Sequence, residues 1–217
     1  EDSTVITLSL KPNDLNAIKL DTGLAVNADT TYVRLLFGAV GDMRGVQANP
    51  VQEISVKSSL LEDTTSPEII AWRIDLSIGT VTFDFSEAVK AVLDPTSLTF
   101  QDRKRSDDSS QSHTLSGGTT ASSDGLQIVL QLTTVDLNRF KFLESLFKDE
   151  DHSWLVANSA FITDMNQQSL ASINPLDSRR VEVGGLGLDV VEPRLLSYNF
   201  NIDTAVMDFT FDETVNF

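Results

Sequence analysis

The stretch Val81-Thr-Phe-Asp-Phe-Ser-Glu-Ala-Val89 alternates apolar and polar residues over most of its length. Side chains of a β-strand point to opposite faces at successive residues, so Val81, Phe83 and Phe85 share one face of an extended chain. The intervening residues are polar and share the other face. This alternation predicts a strand with one side in a hydrophobic core and the other side in water.

The same pattern returns later in the chain as Met207-Asp-Phe-Thr-Phe-Asp-Glu-Thr-Val215, and Pro67 returns as Pro193. Both pairs are 126 residues apart (209 − 83 and 193 − 67). A second series keeps an offset of 122, in which residues 5–10, 14–16 and 42–43 return as 127–132, 136–138 and 164–165. A period of about 124 residues has the size of one globular domain and predicts a tandem array of similar modules.

The repeat divides the chain into three predicted modules. Residues 1–62 correspond to the C-terminal part of one module, residues 66–188 to a complete module, and residues 192–217 to the N-terminal strands of the next. The linkers between them contain acidic residues followed by proline, which keeps the chain extended. Because the sequence begins in mid-pattern, we expect the chain to be a window on a longer polypeptide.

The composition excludes several classes of partner. The chain has 217 residues, no cysteine and a formal net charge of −16, with a sequence pI near 4.3. Such a polyanion is repelled by phosphate groups, so we expect neither nucleic acid nor an anionic membrane surface as a partner. Without cysteine there is neither a disulfide framework nor a thiolate metal site. No apolar run approaches the roughly 20 residues that span a bilayer, so no membrane insertion is expected in this segment.

Further strands are predicted from short apolar or alternating segments bounded by turn residues. In the complete module they cover residues 68–75, 97–102, 126–132, 154–162 and 180–183, and in the first module 4–10, 31–37 and 51–57. The stretch 103–125, rich in Ser, Thr, Asp and Gly, is predicted as a long exposed hairpin loop. Many short strands with one-sided alternation predict an all-β fold of tandem antiparallel β-sandwich modules.

One short helix is predicted in each module. Residues 134–147 place apolar side chains at helical spacing, and Thr134 or Asp136 is the predicted N-cap. The counterpart is residues 12–19, where Pro12 stands at an early helical position. We interpret the Asp-Leu-Asn triplets that begin at Asp14 and Asp136 as helix caps rather than as ligand-binding motifs.

The run from Val81 to Val89, followed by Asp94-Pro-Thr-Ser-Leu-Thr-Phe100, resembles the bacterial Ig-like repeats of S-layer proteins and large adhesins. That family pairs this strand with a later aromatic-led strand, which here begins at Trp154 and, in the first module, at Tyr32. The Gly-Asn that the family carries after an aspartate is replaced in both modules. The short helix is an elaboration like that of repeats in very large extracellular proteins. The resemblance implies Ig-like sandwich modules outside the cell or at the cell surface.

The repeat and the resemblance together predict a structural role. We expect a segment of a long extracellular protein, acting as a stalk, a filament or an adhesive spacer, whose partners are neighbouring repeats. Partial modules expose strand edges, so we expect flanking sequence, or another copy added head to tail in a filament, to complete them. The alternative function is an adhesion module that binds carbohydrate or protein through residues 103–125.

Signals for enzymatic chemistry are weak. His113 and His152 lie in polar segments and no Gly-x-Ser-x-Gly turn is present, so we expect no enzyme activity. No cofactor is expected other than structural Ca²⁺, for which carboxylates near the module junctions supply the oxygen ligands that hard cations require. The candidate ligands are Asp63, Glu68, Glu87, Asp164, Asp189 and Glu192.

Overall fold

The computed structural model describes residues 4–29, 31–56, 60–107 and 109–216, with the backbone alone described at Gln52. The chain divides into two compact units, unit 1 from Glu1 to Thr65 and unit 2 from Ser66 to Phe217. Strands are the main regular structure in the described residues, and most of them pair antiparallel. The β-rich, antiparallel character predicted from the sequence is therefore confirmed.

Unit 1 contains one helix and two strands in the part of it that the structure describes. Helix α1 (Pro12–Leu20) has proline in its first turn, where the missing N–H has no intrahelical partner to lose. Strands β1 (Tyr32–Leu35) and β2 (Val51–Ser55) pair antiparallel and confirm the predicted strands at 31–37 and 51–57, although residue 57 lies outside the described residues. Ile6 and Leu8 are exposed, like many apolar residues of this unit.

Unit 2 holds the remaining described strands and a second helix. In chain order they are β3 (Ile69–Asp75), β4 (Thr80–Val89), β5 (Leu98–Gln101), β6 (Ser112–Thr114), β7 (Gly125–Gln131), α2 (Thr134–Phe142), β8 (Trp154–Ala157), β9 (Arg179–Arg180), β10 (Leu186–Gly187), β11 (Leu195–Asn201) and β12 (Val206–Phe211). Two four-stranded sheets form, in the orders β10-β3-β4-β7 and β6-β5-β8-β9. Neighbouring strands run antiparallel, except that β10 pairs parallel to β3.

The two four-stranded sheets share one hydrophobic core. Trp72 of β3 packs against Phe100 of β5 with ring centroids 5.4 Å apart, and Phe83 of β4 lies 5.1 Å from Phe161. Helix α2 adds Phe140, whose ring centroid is 5.3 Å from that of Phe100. All five side chains are buried. Removal of this much apolar surface from water is the main favourable term in folding, so these contacts fix how the two sheets face each other.

The predicted strands of unit 2 are confirmed in position, but two are shorter than predicted. Strand β8 ends at Ala157 instead of residue 162 because Asn158 begins a turn, in which the Phe161 amide donates to the Asn158 carbonyl at 3.1 Å. Strand β9 covers Arg179–Arg180 instead of 180–183, because a turn begins at Glu182.

Residues 4–10 form no strand, so that prediction is wrong. The corresponding residues of unit 2 lie in β7, which is hydrogen-bonded along β4. Residues 4–10 are not part of the β1–β2 ladder of unit 1. A short strand is stable only as part of a sheet, so the alternation of residues 4–10 does not by itself produce a strand.

The helix of unit 2 differs from its prediction at both ends. It ends at Phe142 rather than at residue 147, where Phe147 has a left-handed φ of 62°. Its N-cap is Thr133, whose hydroxyl accepts a hydrogen bond from the Asp136 amide. The predicted caps, Thr134 and Asp136, are therefore wrong by one and three positions.

The stretch 103–125 is not one exposed loop, contrary to the prediction. Strand β6 lies within it and pairs with β5 at the edge of the second sheet. Leu115 is buried in the core, and Thr119 forms a β-bridge with Gln131. Because β6 is short and polar, it lacks the alternating apolar residues that identify a strand in sequence.

Strands β11 and β12 form a two-stranded sheet with the register of β3 and β4. Tyr198 lies opposite Phe209, as Trp72 lies opposite Phe83, and each position differs by 126 residues. The neighbouring pairs keep the same offset, and both hairpins have a register shift at the same place in the first strand. The two hairpins are therefore geometrically equivalent.

A second set of elements is equivalent at an offset of 122. Helices α1 and α2 begin and end 122 residues apart, and so do strands β1 and β8. Tyr32 of β1 pairs with Ser55, and Trp154 of β8 pairs with Arg180. Each unit thus contains the succession of a helix, a strand and a second strand paired with the first.

Candidate functional site: an exposed apolar hairpin and the carboxylate clusters

The hairpin of β11 and β12 presents apolar side chains to solvent. Tyr198, Phe200, Met207 and Phe209 share one face of it and are 61%, 53%, 48% and 55% exposed. In the part of the chain that the structure describes, β11 and β12 pair only with each other. An apolar sheet face beside an open strand edge is the surface on which another strand or sheet docks.

The equivalent face of β3 and β4 is covered. Trp72, Ile74, Val81 and Phe83 stand 126 residues before the four exposed residues and are at most 2% exposed. Phe100 of the second sheet packs directly on Trp72. Unit 2 therefore shows which surface complements a hairpin of this kind, namely a second β-sheet that carries large apolar side chains.

The two hairpins also share their hydrogen bonds at the open end. The Arg194 amide donates to Asp212 Oδ1 at 2.7 Å, and the Asp212 amide donates to the Arg194 carbonyl at 3.1 Å. In the first hairpin the Glu68 amide donates to Ser86 Oγ, and the Ser86 amide donates to the Glu68 carbonyl, both at 2.9 Å. The similarity thus extends beyond the strands themselves.

A lysine on α2 anchors the segment that follows β12. Lys141 Nζ forms ion pairs with Asp189, at 2.8 Å, and with Glu213. Beside them, Thr214 Oγ1 donates to the Asn138 carbonyl at 3.3 Å. These bonds connect the linker and the end of the hairpin to the helix of unit 2.

The ion pairs of Lys141 change the pKa values of its groups. Burial by itself lowers the pKa of Lys141, but the hydrogen bonds and charges of Asp189 and Glu213 outweigh it and raise this pKa. Burial likewise raises the pKa of Asp189, but its hydrogen bonds, chiefly that from Lys141, outweigh the effect and lower it. Unit 1 contains the same pairing, since Lys19 Nζ lies 2.6 Å from Asp63. These two residues precede Lys141 and Asp189 by 122 and 126 positions.

Three of the six predicted Ca²⁺ ligands are poorly suited to the ion. Asp189 bonds Lys141, whose ammonium group takes the place of a cation beside the carboxylate. Glu68 and Glu192 are both exposed, and they lie 124 residues apart near the two ends of the predicted complete module. Exposed single carboxylates do not supply the several oxygen ligands that Ca²⁺ needs.

Glu87 and Asp164 lie together in unit 2. They are 5% and 1% exposed, and a carboxylate oxygen of one lies within 4.8 Å of an oxygen of the other. The β-bridge between Val89 and Asp164 brings the two side chains to this distance, and Asp164 Oδ1 also accepts the Gln168 amide at 2.6 Å. Adjacent buried carboxylates present the oxygen ligands that hard cations prefer, so Glu87 and Asp164 stay candidates for Ca²⁺.

A buried aspartate organises the region around β6. Asp136 accepts hydrogen bonds at 2.7–3.1 Å from His113 Nε2, from the amide and hydroxyl of Ser116, and from the Thr133 hydroxyl. Burial raises the pKa of Asp136, but these hydrogen bonds outweigh it and lower the pKa. The capping interpretation missed this network, and the spacing Thr133-x-x-Asp136, that of a capping box, indicates only the contact between these two residues.

The remaining histidine and the start of the stretch 103–125 also bond acidic residues. His152 Nδ1 lies 2.6 Å from Asp149 Oδ1.

Arg103 bonds Asp102 and Asp107, each at 3.1 Å. These bonds hold the beginning of the stretch in a defined conformation.

Comparison with known proteins identified no relative. A scan against family models, a search of curated proteins and a search of solved structures each found no match for this chain. Within the described residues, no helix has the length and apolar character to cross a bilayer. The hairpin and the carboxylate clusters are therefore the basis for a functional proposal.

Proposed function

We propose that this chain is a structural repeat segment of a long extracellular protein, serving as a stalk, a filament or an adhesive spacer. Its modules are Ig-like β-sandwiches, its partners are neighbouring repeats, and it carries no enzymatic activity. The observation that supports the proposal is the hairpin β11–β12, which copies the pairing of β3–β4 position by position at an offset of 126. Serial arrays are built by repeating such units along the chain.

The lysine–aspartate pairs support the same proposal. Lys19 with Asp63 in unit 1, and Lys141 with Asp189 in unit 2, each join the helix of a module to the linker that follows it. A linker held against its module bends less than a free chain does, since its ends have fewer accessible orientations. Restricted bending is the property that a stalk or spacer requires.

The charge and the stretch 103–125 also favour an array over an adhesion module. A net charge of −16 in 217 residues keeps a long polypeptide soluble through self-repulsion. The stretch 103–125 contains β6 and is bonded to the buried Asp136 through His113 and Ser116. A segment built into the fold in this way has little freedom to adapt to a ligand, so we prefer the structural role.

The proposal is tested by appending the later strands of the complete module to the second hairpin. Residue 217 is equivalent to residue 91, so residues 92–188 are appended directly after Phe217. We expect the hairpin and the appended segment to fold as a second complete module. In single-molecule stretching, the extended chain then shows one additional unfolding event with the contour length of a complete module.

A matched variant separates folding of the new module from a general effect. Phe209→Asp places a charge in the new core of the extended chain, so we expect the additional unfolding event to disappear. The same substitution in the original chain changes an exposed residue, and we expect the existing module to unfold as before. An appended segment that stays sensitive to protease and unfolds without a force peak would refute the repeat proposal.

Structural Ca²⁺ remains a prediction within this proposal. Glu87 and Asp164 would supply carboxylate ligands from β4 and from the turn that pairs with it. A cation between them would offset their repulsion and strengthen the connection of these two segments. Its role would be to stiffen the module rather than to take part in a reaction.

A further inference from the structure

We propose that Lys141, Asp189 and Glu213 form a junction clamp that fixes the orientation of the following module on the complete module. The inference rests on the proposed repeat function and deepens it, because it names the surface on which the following module sits. Under that proposal the hairpin β11–β12 is the first part of the following module. The C-terminal turn of α2 and the linker then carry the contact surface for it.

Lys141 connects three segments that are far apart in sequence. It lies in the last turn of α2, and its ammonium group bonds Asp189 of the linker at 2.8 Å and Glu213, which follows β12. All of these residues belong to unit 2. A bond to the linker alone would leave the hairpin free to reorient about the residues between Asp189 and β11. The bond to Glu213, at the other end of the hairpin, removes that freedom.

The junction clamp is largely buried, which distinguishes it from a surface ion pair. The side chains of Lys141, Asp189 and Glu213 are 14%, 24% and 10% exposed. Exposed ion pairs contribute little to stability, but removal of one partner from a buried pair leaves an uncompensated charge. Oε1 of Glu213 is buried and has no hydrogen-bond partner among the described residues, so Lys141 compensates the charge of this carboxylate. Loss of Lys141 is therefore expected to release the hairpin.

The other polar contacts at the junction are weaker. Ser77 Oγ, in the turn between β3 and β4, donates to the Leu188 carbonyl and accepts the Val190 amide, both at 3.2 Å. Thr214 Oγ1 donates to the Asn138 carbonyl at 3.3 Å. These hydrogen bonds are long and exposed, so each contributes little by itself. The junction clamp is therefore the main polar contact that holds the hairpin in place.

The sequence repeats the three positions of the junction clamp. The residues that precede them by 122, 126 and 126 positions are Lys19, Asp63 and Glu87. Lys19 and Asp63 form the corresponding ion pair within unit 1. Recurrence of the same charges at the repeat offsets is expected if every junction is held in the same way. An array with one orientation at every junction has a regular curvature and twist, as solenoids of identical repeats do.

Two spin labels test the junction clamp in the full chain, which contains no native cysteine. Ser112→Cys places one label at an exposed position of β6, and Asp203→Cys places the other in the exposed turn between β11 and β12. Pulsed electron paramagnetic resonance measures the distribution of distances between the labels. We expect a single narrow distribution when the three clamp residues are native, because the hairpin then has one orientation relative to the module.

Lys141→Met keeps the aliphatic stem of the side chain and removes its charge. We expect the distribution to widen to on the order of 10 Å, the spread that a released linker of about five residues permits. Lys148→Met is the matched control, because Lys148 is an exposed lysine of the same unit, and we expect it to leave the distribution narrow. A distribution in Lys141→Met as narrow as that of the native clamp would overturn the inference.

A second variant keeps the test independent of the stability of α2. Glu213→Met removes the bond to the hairpin and leaves Lys141 paired with Asp189, so we expect the urea midpoint of unit 2 to be retained while the distribution widens. Asp208→Met is the matched control, because Asp208 is an exposed carboxylate of β12. Combining Lys141→Met with Glu213→Met is expected to add no further widening, since both act on one interaction. A narrow distribution in Glu213→Met would likewise contradict the inference.

The test of the junction clamp is separate from the test of the repeat proposal. A broad distribution with the native clamp residues overturns the clamp, and the repeat proposal survives if the extended chain still folds its second module. A narrow distribution in a chain whose appended segment stays unfolded refutes the repeat proposal, while the clamp still holds the hairpin.

Discussion

We expect Asp136→Ala to lower the free energy of unfolding of unit 2 by about 3–5 kcal/mol. The carboxylate accepts hydrogen bonds from His113, from the Thr133 hydroxyl, and from both the amide and the hydroxyl of Ser116. Each buried donor that loses its acceptor costs about 1–3 kcal/mol. The hydroxyl groups can rotate towards other acceptors, so the total stays below the sum of the separate costs.

Urea denaturation followed by tryptophan fluorescence measures this change. Trp72 and Trp154 both belong to unit 2, so the signal reports on the unit that contains Asp136. For a unit of this size the loss corresponds to a fall in Tm of about 6–20 °C. Glu144→Ala is the matched control, since Glu144 is an exposed carboxylate in the same unit. A variant Asp136→Ala within 1.0 kcal/mol of wild type, on the order of one ordinary hydrogen bond, would refute the reasoning.

The pH dependence gives a second test of the same network. Folding lowers the pKa of Asp136, so the unfolded chain binds the proton more tightly than the folded chain does. The stabilisation is therefore complete above the unfolded pKa of about 3.9 and is lost as the pH falls through the folded pKa. We expect Asp136→Asn to show a shallower loss of stability than wild type below about pH 4. Identical slopes for the two proteins would contradict this assignment.

Three further changes test other parts of the structure. Phe83→Ala removes a buried ring and is expected to lower the free energy of unfolding by about 3–5 kcal/mol in urea denaturation. Phe209→Ala, measured at low protein concentration, is expected to lower it little. Equal losses would mean that the second hairpin is covered. Ca²⁺ near 100 times its Kd is expected to raise the Tm by about 5–10 °C relative to the protein in EDTA. Glu87→Gln is expected to abolish this shift, and Glu68→Gln is expected to leave it unchanged. No shift in the wild-type protein would refute the Ca²⁺ prediction. Gln167 has a left-handed φ of 68°, which strains any residue other than glycine. Gln167→Gly is therefore expected to raise the free energy of unfolding by about 0.5–1 kcal/mol, and a lower value than in wild type would contradict this strain.

The strands with one-sided alternation could be predicted from sequence because their pattern and their environment agree. In β4, Val81, Phe83 and Phe85 alternate with polar residues, and all three are buried. The positions of α1 and α2 could be predicted for a similar reason, since their spacing and their start signals agree. Their ends could not, because a helix end depends on the contacts of the following turn.

The network around Asp136 could not be predicted, because its members are far apart in sequence. Asp136 lies 23 residues from His113 and 20 from Ser116. A capping-box spacing places Thr133 beside it, but nothing local indicates that β6 packs over the start of α2. Asp14 of the identical triplet is exposed, so this aspartate has different surroundings in the two units.

Glu87 and Asp164 could be identified from the sequence as candidate ligands, but their proximity to each other could not. The sequence identified both as acidic residues that follow strands, among six candidates of which Glu68, Asp189 and Glu192 lie elsewhere. What distinguishes this pair is a β-bridge between segments more than 70 positions apart, from Val89 to Asp164. Proximity of this kind follows from tertiary pairing, so the sequence could suggest candidate ligands but not which of them lie close together.

The hairpin of β11 and β12 shows that the register of strand pairing does not depend on burial of the apolar face. Its register is that of β3 and β4 although its apolar face is exposed, so pairing within the hairpin is specified locally by alternation and by the turn. Residues 4–10 alternate in a similar way but form no strand, so alternation alone does not specify one. Hairpins have local contacts and form early, whereas a third strand must close a longer loop or come from another molecule. In an array of these modules, each hairpin would therefore form first and act as the template on which its third strand and second sheet assemble.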